Sequence, residues 1–307
     1  MPRHQVKRAQ AILIAGPTAS GKSEAALALA GRFGGTVINA DSKQVYRELA
    51  ILTARPSAAD MARLPHRLYG TVPAQEAYSA GRFVEEAATA IAEARQEGRV
   101  PILAGGTGLY FKALLEGLAP VPDIPPEIRA HWREQSELRD ASSLHGELAA
   151  RDPGMAARLR PTDPQRVVRA LEVIDATGVS LAEWQGARAS PVLAASNVAK
   201  LLIAPEREVV YARTDARFDR MVAAGATEEV RALMALGLDP GLPAMRAHGV
   251  RELASYLAGA SGLEDTVAKS KTESRRYAKR QMTWARRFMT DWEWFPDADA
   301  AASAVTP

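Results

Sequence analysis

The stretch GPTASGKS at residues 16–23 has the spacing G-x-x-x-x-G-K-[ST] of a loop that cradles phosphates. Successive backbone N–H groups in such a Gly-rich turn, opening onto a helix N-terminus, form a concave anion site. Lys22 adds a point charge, and Ser23 offers a hydroxyl to Mg²⁺. The motif reports phosphates and not what they are attached to. Two more polar stretches follow apolar runs. Asp41, Ser42, Lys43 and Gln44 come straight after TVINA, and GGTGLY at 105–110 comes after VPILA. Asp41 has the chemistry of a Mg²⁺ support or of a helix N-cap. Thr107 brings a Gly-lined hydroxyl, which would equally suit the cap of the next helix.

These residues need elements to hold them. Ala11–Ala15 reads as a short buried strand entering the phosphate loop, and Ser23–Phe33 as a helix stopped by Gly34 and Gly35. Thr36–Ala40 and Val100–Ala104 are two further strands. Phe83–Gln96 and Leu109–Glu116 are helices ending at Gly98 and Gly117. Strand, loop and helix in repetition predict an α/β fold, a P-loop NTPase-like parallel sheet flanked by helices. In such sheets the loops at the strand C-termini converge on one crevice.

The texture changes at APVPDIPP, residues 119–126, a proline-dense boundary. Residues 122–197 read as an all-helical insertion. It contains the helix Pro164–Thr177, with Asp163 as N-cap and Gly178 just past the end. The core, residues 1–121 and 198–295, resumes with a strand at Lys200–Ala204 and runs on as a helical C-terminal segment. Residues 296–307 read as a loose, Ala-rich tail.

Composition sets the limits. The 307 residues are 47% hydrophobic and 24% charged, with net charge +3, so any nucleic-acid surface must come from local clustering. The absence of cysteine excludes disulfides and thiolate metal sites. Five histidines form no ligand pattern. The apolar run before Gly16 is too short for a signal-peptide core, and no stretch reaches the ~18 residues of a membrane span. A cytoplasmic protein without a membrane partner is expected.

Ten segments, in order, carry a resemblance to the bacterial tRNA dimethylallyltransferases, also called tRNA isopentenyltransferases. They are GPTASGKS, NADSKQVYR, TARP, PHRLYG, AYSAGRF, GGTGLYFKALLEGLAP, DPQRVVRALEV, RFDRM, MRAHGVREL and YAKRQMTWARRF. The resemblance implies that the phosphate loop holds dimethylallyl diphosphate and that ATP is not consumed. The five-carbon group passes to the exocyclic N6 of adenine thirty-seven, next to the anticodon, and diphosphate leaves with Mg²⁺.

By similarity Asp41 is the base that takes the amine proton, and Asp41, Thr107 and Lys22 form the catalytic set, with Asp41 as a second candidate beside Ser23 for Mg²⁺. Gly16, Pro17, Thr18, Ala19, Ser20, Gly21, Lys22 and Ser23 hold the diphosphate with Arg213 and Arg217. These two arginines share one face of a predicted helix at i and i+4. The tRNA anticodon stem-loop meets Asp41, Ser42, Lys43, Gln44, Thr107 and Arg129. It also meets Gln165, Arg166, Val167, Val168 and Arg169 on the Pro164–Thr177 helix, and Arg246 and Arg251. His248 receives no catalytic role. Lys43 stands where many relatives carry an apolar residue, and Arg55 where Lys is common. With no cysteine the chain cannot carry the zinc finger of eukaryotic members. A monomer is expected.

Charge patterning adds a surface. At 100° per residue, Arg275, Arg276, Lys279, Arg280, Arg286 and Arg287 share one helix face, while Tyr277, Trp284 and Phe288 form an apolar stripe expected to pack on the core. Arg276, Lys279, Arg280 and Arg286 are expected to meet tRNA phosphates. Two other readings compete: a P-loop small-molecule phosphotransferase with the insertion as a lid, and an RNA-binding protein that uses a nucleotide as a switch.

Overall fold

The central strands AILIA and GTVIN are buried at every position, as strands covered on both faces require; the first is wholly apolar, and the second buries the polar Thr36 and Asn39 as well. The structure is a computed structural model that describes residues 4–5, 11–187 and 190–306. Among these, the chain divides into two compact units, residues 1–115 with 192–307, and residues 116–191.

The core unit opens with β1 (His4–Gln5), β2 (Ala11–Ala15), α1 (Lys22–Phe33), β3 (Gly35–Asn39) and α2 (Ala58–Arg63). It continues through β4 (His66–Arg67), α3 (Ala80–Gln96), β5 (Val100–Gly105) and α4 (Gly108–Glu116). The second unit holds α5 (Pro126–Leu138), α6 (Ala141–Arg151), α7 (Pro153–Ala156), α8 (Pro164–Thr177) and α9 (Leu181–Trp184). The core resumes with β6 (Val198–Ile203), α10 (Arg207–Ala223), α11 (Ala226–Met234), α12 (Val250–Leu257) and α13 (Leu263–Phe288). It closes with β7 (Glu293–Phe295), α14 (Ala298–Ala304) and β8 (Val305–Thr306). No helix among the described residues is long and apolar enough to cross a membrane.

Six strands form a parallel sheet in the order β4-β3-β5-β2-β6-β7. The register aligns Ala15 with Gly105 and with Leu202, and Asn39 with Ala104. The phosphate loop, the Asp41 loop and the Thr107 loop therefore leave the sheet at the same level. Gly105 permits this: a Cβ there would lie 2.0 Å from the Ala40 carbonyl oxygen. One hydrophobic core covers the face that carries Phe83, Phe111 and Leu253, and another the face that carries Leu29, Val37 and Ala301.

The second unit has its own core around Trp132, Leu144, Leu148, Val167 and Leu171. Its limits fall earlier than the expected 122–197. The chain rejoins the core unit where the Val192 and Leu193 amides both donate to the Leu114 carbonyl, at 2.9 and 3.0 Å. Residues 296–307 differ from expectation: the described part is not a loose tail. Asp297 caps α14 by accepting the Ala300 amide, Ala298, Ala301 and Val305 are buried with Ala25 and Leu29, and β8 pairs with β1. An alanine run carries no periodic signal, so its burial against α1 is a tertiary decision.

Candidate active site

The phosphate loop is built as its sequence requires. Ala19 and Gly21 have φ of 61° and 102°, turning consecutive amides inward to form a concave nest. The N-terminus of α1 has no side-chain cap, so its first amides remain available to an anion. Ser20 Oγ is buried without a partner among the described residues. Lys22 Nζ donates to the Pro17 carbonyl at 2.6 Å, which folds the ammonium back over the loop. Burial lowers the Lys22 pKa to about 8, with Asp41 opposing and Arg217 adding to the shift. This arrangement fits a diphosphate. The exposed Ser23 hydroxyl in the first turn of α1 and the Asp41 carboxylate are oxygen donors that fit Mg²⁺, an ion that takes few protein ligands when phosphates and waters supply the rest.

Asp41 is held from both sides of its backbone. Buried Asn39 accepts the Asp41 amide through Oδ1 at 2.8 Å and donates through Nδ2 to the Asp41 and Leu68 carbonyls. One Asp41 carboxylate oxygen accepts the Lys43 amide at 2.9 Å, closing its own turn; the segment that follows is turn and not helix, so Asp41 is no helix cap. The other oxygen faces Gly106. The Thr107 hydroxyl accepts the Ser42 amide at 3.0 Å, which ties the third loop to the second.

A cavity at this end of the sheet is lined by Thr18, Asp41, Lys43, Arg217, His248 and Tyr277. A second, of about 240 Å³, is lined by Pro17, Thr107, Tyr277, Gln281, Met282 and Trp284, so Tyr277 serves both. The Trp284 ring can approach because residue 108 is glycine; a Cβ there would lie 2.2 Å from it. Burial pushes the Tyr277 phenol up from its ordinary value, which keeps it neutral. Burial likewise lowers His248 to about 4, helped by Arg280 and Lys43, so this ring carries no charge near neutrality.

Arg217 hydrogen-bonds the Thr18 hydroxyl, joining α10 to the phosphate loop. Arg213, one turn earlier, is exposed and lines neither cavity. Lys43 Nζ donates to the Pro243 carbonyl at 2.7 Å, and burial lowers its pKa to about 8. Gln44 spends its amide donor on the Thr53 and Ala54 carbonyls. Arg246 and Arg251 are exposed.

In the second unit Arg129, Gln165 and Arg166 are exposed. Arg166 pairs with Asp163 and Arg169 with Glu172. Val167 is fully buried and Val168 packs beside it, so the Val167 side chain fills the unit's core and presents nothing to RNA.

The basic helix differs in part from expectation. Its buried stripe is small, Ser270, Ser274, Ala278 and Ala285, which lets α13 lie close against α10 and α12. Trp284 packs partly on the core, but Phe288 is 38% exposed with Lys112 over its ring. Arg275 pairs with Asp215 and Arg276 with Glu273. Lys279, Arg280, Arg286 and Arg287 have no carboxylate partner among the described residues.

Two residues were not singled out from sequence. Gln281 accepts the Thr18 amide at 2.8 Å and donates to the Gly106 carbonyl at 2.9 Å, so one side chain clamps the first loop to the third. Its signal was an amide on the core side of a basic helix. Glu229 accepts the amides of Ala50, Ile51 and Leu52, fixing the turn on which Gln44 rests.

The sequence matches the model of the IPP transferase family over residues 44–288. The chain belongs to the IPP transferase family. Similarity extends beyond that span. A tRNA dimethylallyltransferase of Nitrobacter hamburgensis is 52% identical over 97% of this chain and 95% of its own. The crystal structure of a tRNA isopentenylpyrophosphate transferase from Bacillus halodurans superposes with a TM-score of 0.67 at 34% identity, covering 96% of this chain and 90% of that one. A eukaryotic dimethylallyltransferase crystallised acting on tRNA gives a TM-score of 0.79 at 28% identity, covering 98% and 77%. IPP transferase membership supports the prenyl-transfer reading and not the phosphotransferase alternative.

Proposed function

We propose that this site transfers a dimethylallyl group from dimethylallyl diphosphate to the exocyclic N6 of adenine thirty-seven of tRNA, releasing diphosphate. The observation that carries the reading is the crevice itself: a phosphate cradle and a carboxylate–threonine pair lie on level strand ends, clamped together by Gln281.

The diphosphate rests on the loop amides of Ala19, Gly21, Lys22 and Ser23, with the Lys22 and Arg217 side chains beside it. The apolar five-carbon chain fits the 240 Å³ cavity next to Pro17 and Trp284. An adenine N6 amine is a poor nucleophile because its lone pair is shared with the ring. Asp41, fixed by Asn39, takes the amine proton as the N6–carbon bond forms and the carbon–oxygen bond to diphosphate breaks. The Thr107 hydroxyl orients the base from the neighbouring loop. The electron pair of the broken bond leaves on the diphosphate, where Lys22, Arg217 and the loop amides meet the growing charge. The Ser23 hydroxyl would help to hold Mg²⁺ at the diphosphate, and the ion would supply further charge neutralisation. The adenine must be extruded from its loop, at a cost of a few kcal/mol, least for an unpaired base.

On the RNA side the reading draws on Asp41–Gln44 and the exposed cations Arg129, Arg246, Arg251, Lys279, Arg280 and Arg286. It carries with it a cytoplasmic setting and a monomeric enzyme. The test is mass spectrometry of tRNA nucleosides after incubation with purified protein, dimethylallyl diphosphate and Mg²⁺, without ATP. An adenosine heavier by one five-carbon alkenyl group is expected. Modification only in the presence of ATP would overturn the reading.

A further inference from the structure

A third cavity, which shares only Met282 with the second, is lined by the start of α10, the second half of α13 and β7. Its volume is about 310 Å³, and its lining includes Arg207, Tyr211, Lys279, Met282, Arg286 and Trp294. Three cations meet there, and none has a carboxylate partner among the described residues; Glu206 lines the same cavity and pairs with none of them. This contrasts with Arg275 and Arg276 on the same helix, each of which is paired. Three cations beside one carboxylate leave an excess of positive charge that an anion would offset.

Two aromatic rings, Tyr211 and Trp294, line the same cavity. Arg207 stacks over one face of Tyr211 at 5.0 Å. Trp294 is 41% exposed, although β7 could present a polar residue at that position as well as a ring. Its indole N–H donates to the Met289 carbonyl at 3.4 Å, and the residue lines the cavity. Flat rings beside unpaired cations are what an unstacked nucleotide needs, since the base stacks and the phosphate is neutralised.

We infer that this cleft holds one unstacked nucleotide of the RNA substrate, its base on Trp294 and its phosphate between Lys279, Arg286 and Arg207. The inference rests on the RNA-substrate reading above and names a contact outside the crevice. RNA is favoured over a free ligand by continuity: Lys279 and Arg286 belong to the same face of α13 as Arg280 and Arg287, and a row of unpaired cations suits a polyanion.

The test uses the full chain and unmodified tRNA. Trp294→Leu removes the ring and Trp294→Phe keeps one. Base-on-ring stacking implies that Trp294→Leu weakens tRNA binding roughly 5- to 150-fold and that Trp294→Phe restores most of it. Lys279→Ala with Arg286→Ala should make the log–log salt dependence of tRNA binding shallower by about 1.4–1.8. Unchanged tRNA affinity in Trp294→Leu would overturn the inference, as would equal losses in Trp294→Leu and Trp294→Phe. So would a double variant that loses affinity for dimethylallyl diphosphate or adenosine monophosphate while tRNA binding and its salt slope stay as they were. Prenylation of tRNA by the parent protein, scored by mass spectrometry, separates these outcomes from failure of the reading itself.

Discussion

The crevice and the exposed face of α13 are both rich in cations, yet they hold them in opposite ways. In the crevice Lys22, Lys43 and Arg217 each donate to a fixed oxygen, on Pro17, Pro243 and Thr18. On α13, Lys279, Arg280, Arg286 and Arg287 stand without a carboxylate among the described residues. The first arrangement places charge to within a bond length and suits a reacting atom; the second only accumulates charge and suits a polyelectrolyte. A count of arginines distinguishes neither, because α8 also carries arginines and has its charge cancelled by Asp163 and Glu172.

The sharpest contrast is expected at Asp41. Asp41→Asn should lower the single-turnover rate at saturating tRNA by about 10²–10⁴-fold, while the salt slope of tRNA binding stays unchanged. A variant within a few-fold of the parent would leave Asp41 as a turn residue or Mg²⁺ support.

Next in size is a pH effect on the phosphate loop. Burial puts the Lys22 pKa at about 8, below its ordinary 10.5, so the free site holds the ammonium below that pH and loses it above. After correction for the ionisation of diphosphate itself, affinity for inorganic diphosphate should be level below about pH 8 and fall by up to about tenfold per pH unit above it. Lys22→Arg, which keeps its charge, should flatten the fall. A fall that persists in Lys22→Arg would assign the titration elsewhere, with Lys43 the first alternative since burial brings it to about 8 as well.

Smaller effects compare the two helices. Lys279→Ala with Arg280→Ala should make the salt slope of tRNA binding shallower by about 1.4–1.8. Arg166→Ala with Arg169→Ala, or Arg276→Ala alone, should change it by less than one contact, about 0.7–0.9, because those guanidiniums already have carboxylate partners. Equal slopes for paired and unpaired sites would erase the distinction between the two kinds of surface.

What the sequence revealed follows the range of the forces involved. Strand Ala11–Ala15 and helix Pro164–Thr177 stand as read, since an apolar run, an Asp163 cap and a left-handed Gly178 with φ 68° all act within a few residues. The phosphate loop and Thr107 were legible for the same reason, and their convergence followed from parallel-sheet geometry. Gln281 was not, because its partner Thr18 lies 263 residues away. Phe288 was misjudged since helix angle alone cannot say that α13 meets its neighbours through serine and alanine. The α14 segment reads as a tail in sequence because its order depends on α1.

The point where the Val192 and Leu193 amides share the Leu114 carbonyl also has a topological meaning. The core unit closes its own backbone there, so residues 116–191 form a detour whose two ends are stitched together on the core itself. Loop-closure entropy grows only with the logarithm of length, so shortening the detour twentyfold would relieve about 2.6 kcal/mol and leave every strand in register. Such a junction behaves as a socket: the core can keep its sheet and crevice while detours of different size and sequence are exchanged, one helical module for another, at a single pair of hydrogen bonds.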